Sequence, residues 1–421
     1  TIQDGGLGSA LIRKPDLNES DLSTSFYYSI CVGIFMYIAL FFAAPWIADF
    51  YNTPVLIPLI RVTALSFLWG PLNTPQGVLM KKKLNFKTPA KISVATKVFS
   101  AIVGIGLAFC GYGLWALVIS GVLSGLFSTI LNWLAVRWIP KTGWSKDSFK
   151  YLWGFGNKMM LSGMLDTLYN NIAPIFIGKY YSPAQLGVYN RAQGYAAMPS
   201  QNVTGVIANV SFPVLSQIQD DNERLAYNYR RMLKVSAFVI FPVMLMLSAL
   251  ARPLVITMIT AKWEACIILL QIICFSMMWY PIHAINLNLL QVKGRSDLFL
   301  RLEIIKKVLG LSILVITLPL GLVYFCLGNI VSSMFSLVIN TYYTGKLINV
   351  GYLKQMRDLL PIFGLSFFMW FCVHCAIYFI PNMLLQILIG GCVGLIIYFG
   401  GAMLFRFDEL KDVKYLLQRK S

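Results

Sequence analysis

The chain alternates between long apolar runs and short basic segments. Runs without any Asp, Glu, Lys or Arg cover residues 22–48, 62–80, 98–136, 192–219, 265–292, 308–345 and 359–405. A helix needs about 20 apolar residues to cross the hydrocarbon core of a bilayer, and each run is long enough for at least one crossing. The pattern therefore predicts a series of membrane-spanning helices.

Turn residues divide the three longest runs into two spans each, at Gly111-Tyr112-Gly113, Pro319-Leu320-Gly321 and Pro381-Asn382. The run at 192–219 overlaps a longer segment with scattered polar residues, 182–217, and two further segments, 150–178 and 235–250, bring the count to twelve spans. Only helices and closed barrels satisfy every backbone group in lipid, and these runs lack the short alternation of barrel strands. We therefore expect an all-α, polytopic membrane protein.

Composition supports a membrane protein. Of 421 residues, 57% are hydrophobic and 12% are charged, and the mean hydropathy is +0.68. Soluble domains carry about 25% charged residues. The eight cysteines lie within or at the ends of predicted spans, where they act as small apolar residues. Cys372, His374 and Cys375 have no second pair at matching spacing, so we expect no metal site.

The net charge of +18 is distributed by topology and does not indicate a nucleic-acid partner. Successive loops alternate between strongly basic segments, such as Lys81-Lys82-Lys83, and nearly neutral ones. The sparse side carries only Lys179, Arg252 and Lys262 in its loops. The positive-inside rule makes the basic side, including the C-terminal tail, cytoplasmic. The same charges predict anionic phospholipids as partners.

An internal repeat appears when the chain is aligned with itself at a shift of 210 residues. Ser66, Trp69 and Pro71 then fall on Ser276, Trp279 and Pro281. The matched spans lie six apart, an even number, so both halves cross the membrane in the same direction. Such repeats form two lobes around a central cavity.

The repeat also sets the predicted domains. Residues 1–138 form an N-terminal lobe and 139–350 a C-terminal lobe, followed by an extra helix pair at 351–405 and a cytoplasmic tail at 406–421. The fifth and sixth spans have no counterparts in the first half. We therefore expect two further N-terminal spans in the intact protein, which gives two pseudo-symmetric six-helix lobes plus two C-terminal helices, about fourteen helices in all.

Several segments resemble a known family. They are LYNN at 168–171, IGK at 177–179, LGVYNRAQ at 186–193, FPVLSQIQD at 212–220, YPIHAINLN at 280–288 and KGRSDLFL at 293–300. In this order they resemble the polysaccharide transporter family, in particular its colanic-acid and lipopolysaccharide exporter (Wzx-type) branch. The resemblance implies the fold of the multidrug/oligosaccharidyl-lipid/polysaccharide exporter superfamily.

The resemblance also implies a function, in the bacterial inner membrane. The expected substrate is an oligosaccharide on undecaprenyl pyrophosphate, which the protein would move from the cytoplasmic to the periplasmic leaflet without acting as an enzyme. Polysaccharide polymerase machinery would be a further partner. The expected mechanism is alternating access, in which the lobes rock to open the cavity to one side and then the other.

Charged residues inside spans cost about 2.5–3.5 kcal/mol on insertion scales and are therefore functional candidates. Lys158 and Arg191 lie in the fifth and sixth spans among Gly, Asn and Tyr residues. Either could bind the pyrophosphate, or could instead snorkel to the interface or pair with Asp166. Asp166 could bind a coupling H⁺ or Na⁺, or merely neutralise a neighbouring cation. We expect no other cofactor.

Neutral polar residues cluster on the same two spans and could contact sugar hydroxyls or join helices. They are Tyr169, Asn170, Asn171, Tyr189, Asn190 and Gln193. Pro71 and Pro281 each remove a backbone hydrogen bond and predict a hinge or kink at matching points of the repeat. The nearby polar residues Asn73, Gln76, His283 and Asn286 could use the freed space or form interhelical hydrogen bonds.

Three alternatives remain at this point. A lipid II or drug exporter of the same superfamily would share every physical argument above. A membrane enzyme of glycan assembly would need an extramembrane loop or domain with clustered acids or arginines, and the loops here are short. A purely structural scaffold would not explain Lys158, Asp166 and Arg191, whose charges are costly to insert into a membrane.

Overall fold

The computed structural model describes residues 7–411 except residues 15, 84 and 86. Within the helices, the side chains of residues 9, 13, 155, 158, 159, 162, 166, 208–210, 212, 213 and 296 also lie outside the description. The described residues form α-helices and short 3-10 turns and contain no strand. The chain packs as two compact units, Thr1–Ile175 and Phe176–Ser421.

The first unit contains the short helix α1 and the helices up to most of α8. Their bounds are α1 Leu7–Arg13, α2 Glu19–Phe50, α3 Leu56–Ala64, α4 Ser66–Trp69, α5 Thr74–Lys82, α6 Lys87–Phe109, α7 Leu114–Val136 and α8 Lys146–Tyr180. A 3-10 turn, Gly70–Asn73, joins α4 to α5. A buried cluster that includes Leu7, Leu22 and Leu152 packs α1, α2 and α8 together.

The second unit begins in the last turn and a half of α8. Its helices are α9 Pro183–Ser216, α10 Asn222–Ala249, α11 Ala251–Ile259, α12 Cys266–Met277, α13 Tyr280–Val292, α14 Ser296–Thr317, α15 Leu322–Ile348, α16 Tyr352–Tyr378 and α17 Met383–Leu404. Helix α10 is its central element, because 56% of the most apolar stretch of α10 is buried, against 22% for α17.

Local sequence signals explain where several helices start and turn. Asp221 caps α10 by accepting from the backbone N–H of Glu223 and Arg224 at 3.1 and 3.0 Å. Asn382 caps α17 in the same way. Gly111 and Gly321 take positive φ angles in the turns that precede α7 and α15, where the sequence predicts the chain to fold back.

Most of the predicted spans coincide with long apolar helices. Among the described residues, nine helices or broken helices are long and apolar enough to cross a membrane. Their large side chains are exposed on the surface, for example Phe42, Trp46 and Phe109. Helices α8, α9 and α14 occupy the positions expected of the fifth, sixth and ninth spans but are not among the nine. The all-helical membrane fold is confirmed, and the count of twelve spans is not.

One predicted span differs in length from its helix. The charge pattern places the seventh span at 235–250, whereas α10 starts at Asn222. The additional turns carry Arg230 and Lys234, which form ion pairs with Asp358 at 2.6 Å and Glu409 at 2.8 Å. The charge pattern predicts a loop at these basic residues. An apolar run shows only the part of a helix that lies in lipid, so the charged first turns of α10 fall outside it.

Candidate functional site

The predicted site residues lie on α8 and α9, in different units. Tyr169, Asn170 and Asn171 belong to the first unit, and Asn190, Arg191 and Gln193 belong to the second. Each group is therefore described by itself. The side chains of Lys158 and Asp166 lie outside the described residues, so their substrate-binding and ion-coupling roles stay predictions.

On α8 the polar side chains are exposed or partly exposed, and two of them bond along their own helix. Asn170 and Asn171 are exposed, and Tyr169 is partly exposed. The Asn171 side-chain amide donates to the carbonyl of Thr167 at 2.8 Å, and the Thr167 hydroxyl donates to the carbonyl of Gly163 at 2.7 Å. This part of α8 presents an amide-rich surface, a suitable partner for hydroxyl groups.

On α9 the predicted polar residues include one cation, Arg191. Arg191 and Asn190 are exposed and Gln193 is partly exposed, whereas Tyr189 is buried against Phe325 with ring centroids 5.7 Å apart. The Arg191 guanidinium carbon lies 5.2 Å from the Trp263 ring centroid and 6.0 Å from that of Tyr195. Both distances are within reach of a cation–π interaction. Arg191 is thus held at the surface without a carboxylate partner among the described residues.

The two matched prolines both lie at interruptions of helices. Pro71 lies in the 3-10 turn between α4 and α5, and Pro281 is the second residue of α13, just after α12 ends at Met277. A proline has no backbone N–H, so the carbonyl four residues earlier loses its usual donor. Those carbonyls belong to Phe67 and Met277. The role of either proline as a moving hinge stays a prediction.

The first interruption is filled by close packing and by polar side chains. Gly33 of α2 lies directly against the Phe67 carbonyl and Pro71. Asn73 donates to the Thr129 hydroxyl at 2.8 Å, and the Trp133 indole donates to the Leu72 carbonyl at 3.1 Å. Asn73 and its neighbours therefore hold α5 to α7.

At the second interruption a serine hydroxyl supplies the donor that the Met277 carbonyl lacks. Ser200 Oγ of α9 donates to the Met277 carbonyl at 2.7 Å. One turn further along, His283 Nε2 lies 3.0 Å from Ser333 Oγ, and His283 Nδ1 lies 3.3 Å from the Asn340 amide. The polar residues near Pro281 thus join α13 to α15.

A buried network that sequence reasoning missed centres on Gln355 of α16. Its amide nitrogen lies within 3.2 Å of Tyr229 Oη, Asn286 Oδ1 and Thr344 Oγ1, and its oxygen accepts from Asn286 at 3.1 Å. All four side chains are buried. The network joins α10, α13, α15 and α16, and only Asn286 had been singled out. Gln355 lies outside the charge-free runs, between Lys354 and Arg357, and therefore resembled a loop residue.

These sites contain little metal-binding potential. Among the described residues, no group of three or more His, Cys, Asp or Glu side chains lies together in a way that could hold a metal ion. The candidate ligand-binding chemistry therefore consists of amides, aromatic rings and the Arg191 guanidinium.

Comparison with known proteins identifies relatives of this chain. The chain is 28% identical over 299 residues to the teichuronic acid biosynthesis protein TuaB of Bacillus subtilis, covering 70% of this chain and 62% of TuaB. It is 24% identical over 322 residues to the lipopolysaccharide biosynthesis protein WzxC of Escherichia coli, covering 75% of this chain and 65% of WzxC. The chain thus spans less than two thirds of the length of these two relatives.

The fold matches a solved structure described as the lipid II flippase MurJ in an inward closed conformation. The TM-score is 0.75 at 17% identity, over 96% of this chain and 89% of that chain. At this identity the likeness shows the fold alone. Residues 1–268 match the model of a family described as "Polysaccharide biosynthesis protein". Since this match covers more than half of the sequence, the chain belongs to the polysaccharide biosynthesis protein family, as a multi-pass membrane protein with a transporter fold.

Proposed function

We propose that this protein is a flippase that moves oligosaccharide units linked to undecaprenyl pyrophosphate from the cytoplasmic to the periplasmic leaflet of the bacterial inner membrane. The units serve the assembly of a surface polysaccharide or lipopolysaccharide. The protein performs transport and no covalent chemistry, and its C-terminus is cytoplasmic. Its relatives TuaB and WzxC are named for teichuronic acid and lipopolysaccharide biosynthesis, which supports a glycan substrate.

The observation that carries the proposal is the chemistry of α8 and α9. These helices of 35 and 34 residues belong to a membrane protein, yet they expose amides and one arginine. Amides and aromatic rings suit sugars, and a guanidinium suits the two oxygens of a phosphate. Uncompensated polar groups in contact with lipid would be costly, so a hydrated surface on each helix explains them better than a lipid-facing one.

Alternating access supplies the mechanism. The pyrophosphate contacts the exposed cation of α9 and the sugars contact exposed amides of that helix, while the polyprenyl chain stays in lipid. A change between two packings of the helices then opens a path to the other leaflet. At Pro71 and Pro281 the helices would bend without breaking a further backbone hydrogen bond, because each proline already lacks the N–H. Lys158 would add a second cation, and Asp166 would bind the coupling H⁺ or Na⁺.

The test is complementation of a strain that lacks its own surface-polysaccharide flippase. The intact protein should restore surface glycan and remove the accumulated lipid-linked precursor. Lys158→Ala, Arg191→Ala and Asp166→Asn should each reduce the restored glycan at equal protein levels. Arg61→Ala is the matched control, because the Arg61 guanidinium is held by the Phe41 ring and carbonyl on the neighbouring helix.

A second candidate substrate is lipid II, favoured by the fold match to the lipid II flippase. Rescue of a strain depleted of its lipid II flippase, without restoration of surface glycan in any compatible pathway, would replace the proposed substrate with lipid II. Anionic phospholipids and polysaccharide polymerase machinery are the further proposed partners. A reporter enzyme active only outside the cytoplasm, fused after residue 411, should be inactive if the C-terminus is cytoplasmic.

A further inference from the structure

Arg191 is one part of a larger arrangement that includes a tight turn after α11. The turn is the 3-10 segment Ala261–Trp263, and the partly exposed Trp263 ring stacks with the exposed Arg191 guanidinium at 5.2 Å. Gly187, one helical turn before Arg191, faces the same ring: a Cβ at this position would lie 4.0 Å from Trp263 Cη2. The α9 surface thus accommodates the indole beside the cation.

The backbone that presents Trp263 is strained. Thr260, the residue before the turn, has φ +82° and ψ 161°. This region is sterically unfavourable for a β-branched residue, and such strain persists where the surrounding structure requires it, commonly at binding sites. The far end of the turn is joined back to α11 by an ion pair between Arg252 and Glu264 at 3.3 Å. The turn is therefore fixed at both ends with the indole directed at α9.

Basic residues are concentrated at this turn. The sequence pattern assigns three basic residues to the side of the membrane that it identifies as periplasmic, namely Lys179, Arg252 and Lys262. Lys262 lies within the turn that holds Trp263, Arg252 is joined to the far end of the turn through Glu264, and Arg191 adds a third cation. Glu264 is the acid paired with Arg252, so the patch keeps an excess of positive charge. An anionic group with an attached ring would find both a cation and an aromatic face here.

We propose that Arg191 and Trp263 form a docking site for the headgroup of the transported lipid, on the side where transport ends. The Arg191 guanidinium binds the pyrophosphate, and the indole face of Trp263 packs against the first sugar ring. Arg252 and Lys262 add positive charge beside the site, which favours an anionic headgroup. This inference rests on the proposed function and adds to it a specific residue pair, with Trp263 contacting the sugar.

Binding of a soluble substrate analogue to the full chain in nanodiscs tests the pair. The probes are inorganic pyrophosphate and a farnesyl-pyrophosphate-linked disaccharide, titrated by calorimetry. Arg191→Ala should weaken both probes about tenfold, since a charge-assisted contact of about 1.4 kcal/mol corresponds to a factor of ten. Trp263→Ala should weaken only the disaccharide probe, about tenfold, while Trp263→Phe stays within about threefold of the unchanged protein.

The first unit offers a matched control pair. The Arg61 guanidinium lies 4.2 Å from the Phe41 ring centroid, and Arg61 Nε donates to the Phe41 carbonyl at 3.3 Å. Arg61→Ala and Phe41→Ala remove the same kind of stacking and should leave both affinities unchanged. Equal thermal unfolding temperatures of all variants show that they are folded.

Two outcomes would overturn the inference. Trp263→Ala could bind the disaccharide probe as tightly as the control variants do, in which case the indole does not contact sugar. Alternatively, phosphatidylglycerol in the nanodiscs could abolish the binding that depends on Arg191, which would make the pair an anchor for phospholipid headgroups. If either occurs while the intact protein still restores surface glycan, the proposed function stands and only the docking site fails. No glycan restoration would instead refute the function.

Discussion

The two proline interruptions start from the same sequence pattern and end with different packing. In both, a serine is followed three residues later by tryptophan and five residues later by proline. In both, the tryptophan indole N–H (Trp69 or Trp279) is buried and has no hydrogen-bond partner among the described residues. The Phe67 carbonyl, however, lies against Gly33, whereas the Met277 carbonyl accepts a hydrogen bond from Ser200. The first interruption depends on the close packing of Gly33 against the Phe67 carbonyl, and the second depends on the hydrogen bond from Ser200.

The difference shows that a repeated motif determines where a helix breaks but not how the break is stabilised. The surroundings of Pro281 are also richer in hydrogen bonds, because Asn286 belongs to the fully buried Gln355 network. Within the part of the chain that the structure describes, Asn73, near Pro71, forms one side-chain bond, and its buried Oδ1 atom has no partner. Substitutions should therefore act through steric overlap at the first interruption and through lost hydrogen bonds at the second.

The largest effect is expected at Gly33. In Gly33→Ala the added Cβ would overlap the Phe67 carbonyl oxygen and lie 2.7 Å from Pro71 Cγ, so the backbone of α2 or of the interruption must shift. Overpacking of this kind costs about 3 kcal/mol in the free energy of unfolding. Chemical unfolding in mixed micelles, followed by tryptophan fluorescence, measures the loss.

Gly106→Ala is the control, because a Cβ at Gly106 of α6 would meet nothing within 4 Å. It should be neutral or should stabilise by up to about 1 kcal/mol, as expected when alanine replaces glycine in a helix. Equal stability of Gly33→Ala and Gly106→Ala would show that close packing does not hold the first interruption.

The second effect concerns the Gln355 network. Gln355→Leu keeps the side-chain volume but leaves Tyr229, Asn286 and Thr344 buried with fewer partners, so the free energy of unfolding should fall by about 2 kcal/mol. Asn73→Leu removes one bond and also one unsatisfied oxygen, so it should cost no more than about 0.6 kcal/mol. A larger loss of free energy of unfolding for Asn73→Leu than for Gln355→Leu would show that hydrogen bonds matter more at the first interruption than at the second.

Most of the fold could be predicted from the sequence because the bilayer requires long apolar runs, and those runs are visible in one dimension. The turns at Gly111 and Gly321 were also predicted. A turn that needs a positive φ favours glycine, and a glycine between apolar runs is visible in the sequence. The start of α10 was missed although Asp221 is a local capping signal, because the first turns of the helix are charged. Its basic residues gain their partners only in three dimensions, as when Arg230 binds Asp358, 128 residues away.

The candidate site was predicted less completely. Arg191 was found because a charge inside a span is conspicuous, but its stacking partner Trp263 lies 72 residues further along in a short turn. Nothing local marks Trp263 as different from the other nine tryptophans. Gln355 and Ser200 escaped notice because a single hydroxyl or amide is significant only when its buried partner is known. Tertiary contacts, which a pattern does not contain, decide these roles.

The smallest effect, at Ser200, is the sharpest test of the comparison. Ser200→Ala should lower the free energy of unfolding by about 1 kcal/mol, because the Met277 carbonyl loses its donor in an apolar setting. Pro281→Ala restores a backbone N–H that can bond the same carbonyl. In the Pro281→Ala background, Ser200→Ala should therefore cost almost nothing, and a double-mutant cycle should give a coupling of about 0.6–1 kcal/mol.

Pro71→Ala provides the matched cycle in the first unit. Ser200→Ala should cost the same with or without Pro71→Ala, because Ser200 donates at the second interruption only. Ser200→Thr keeps a hydroxyl and should retain most of the stability. If Ser200→Ala and Pro281→Ala prove additive, the hydroxyl and the missing N–H do not serve the same carbonyl. The second interruption would then be held, like the first, by packing, and the two halves of the repeat would be more alike than their hydrogen bonds indicate.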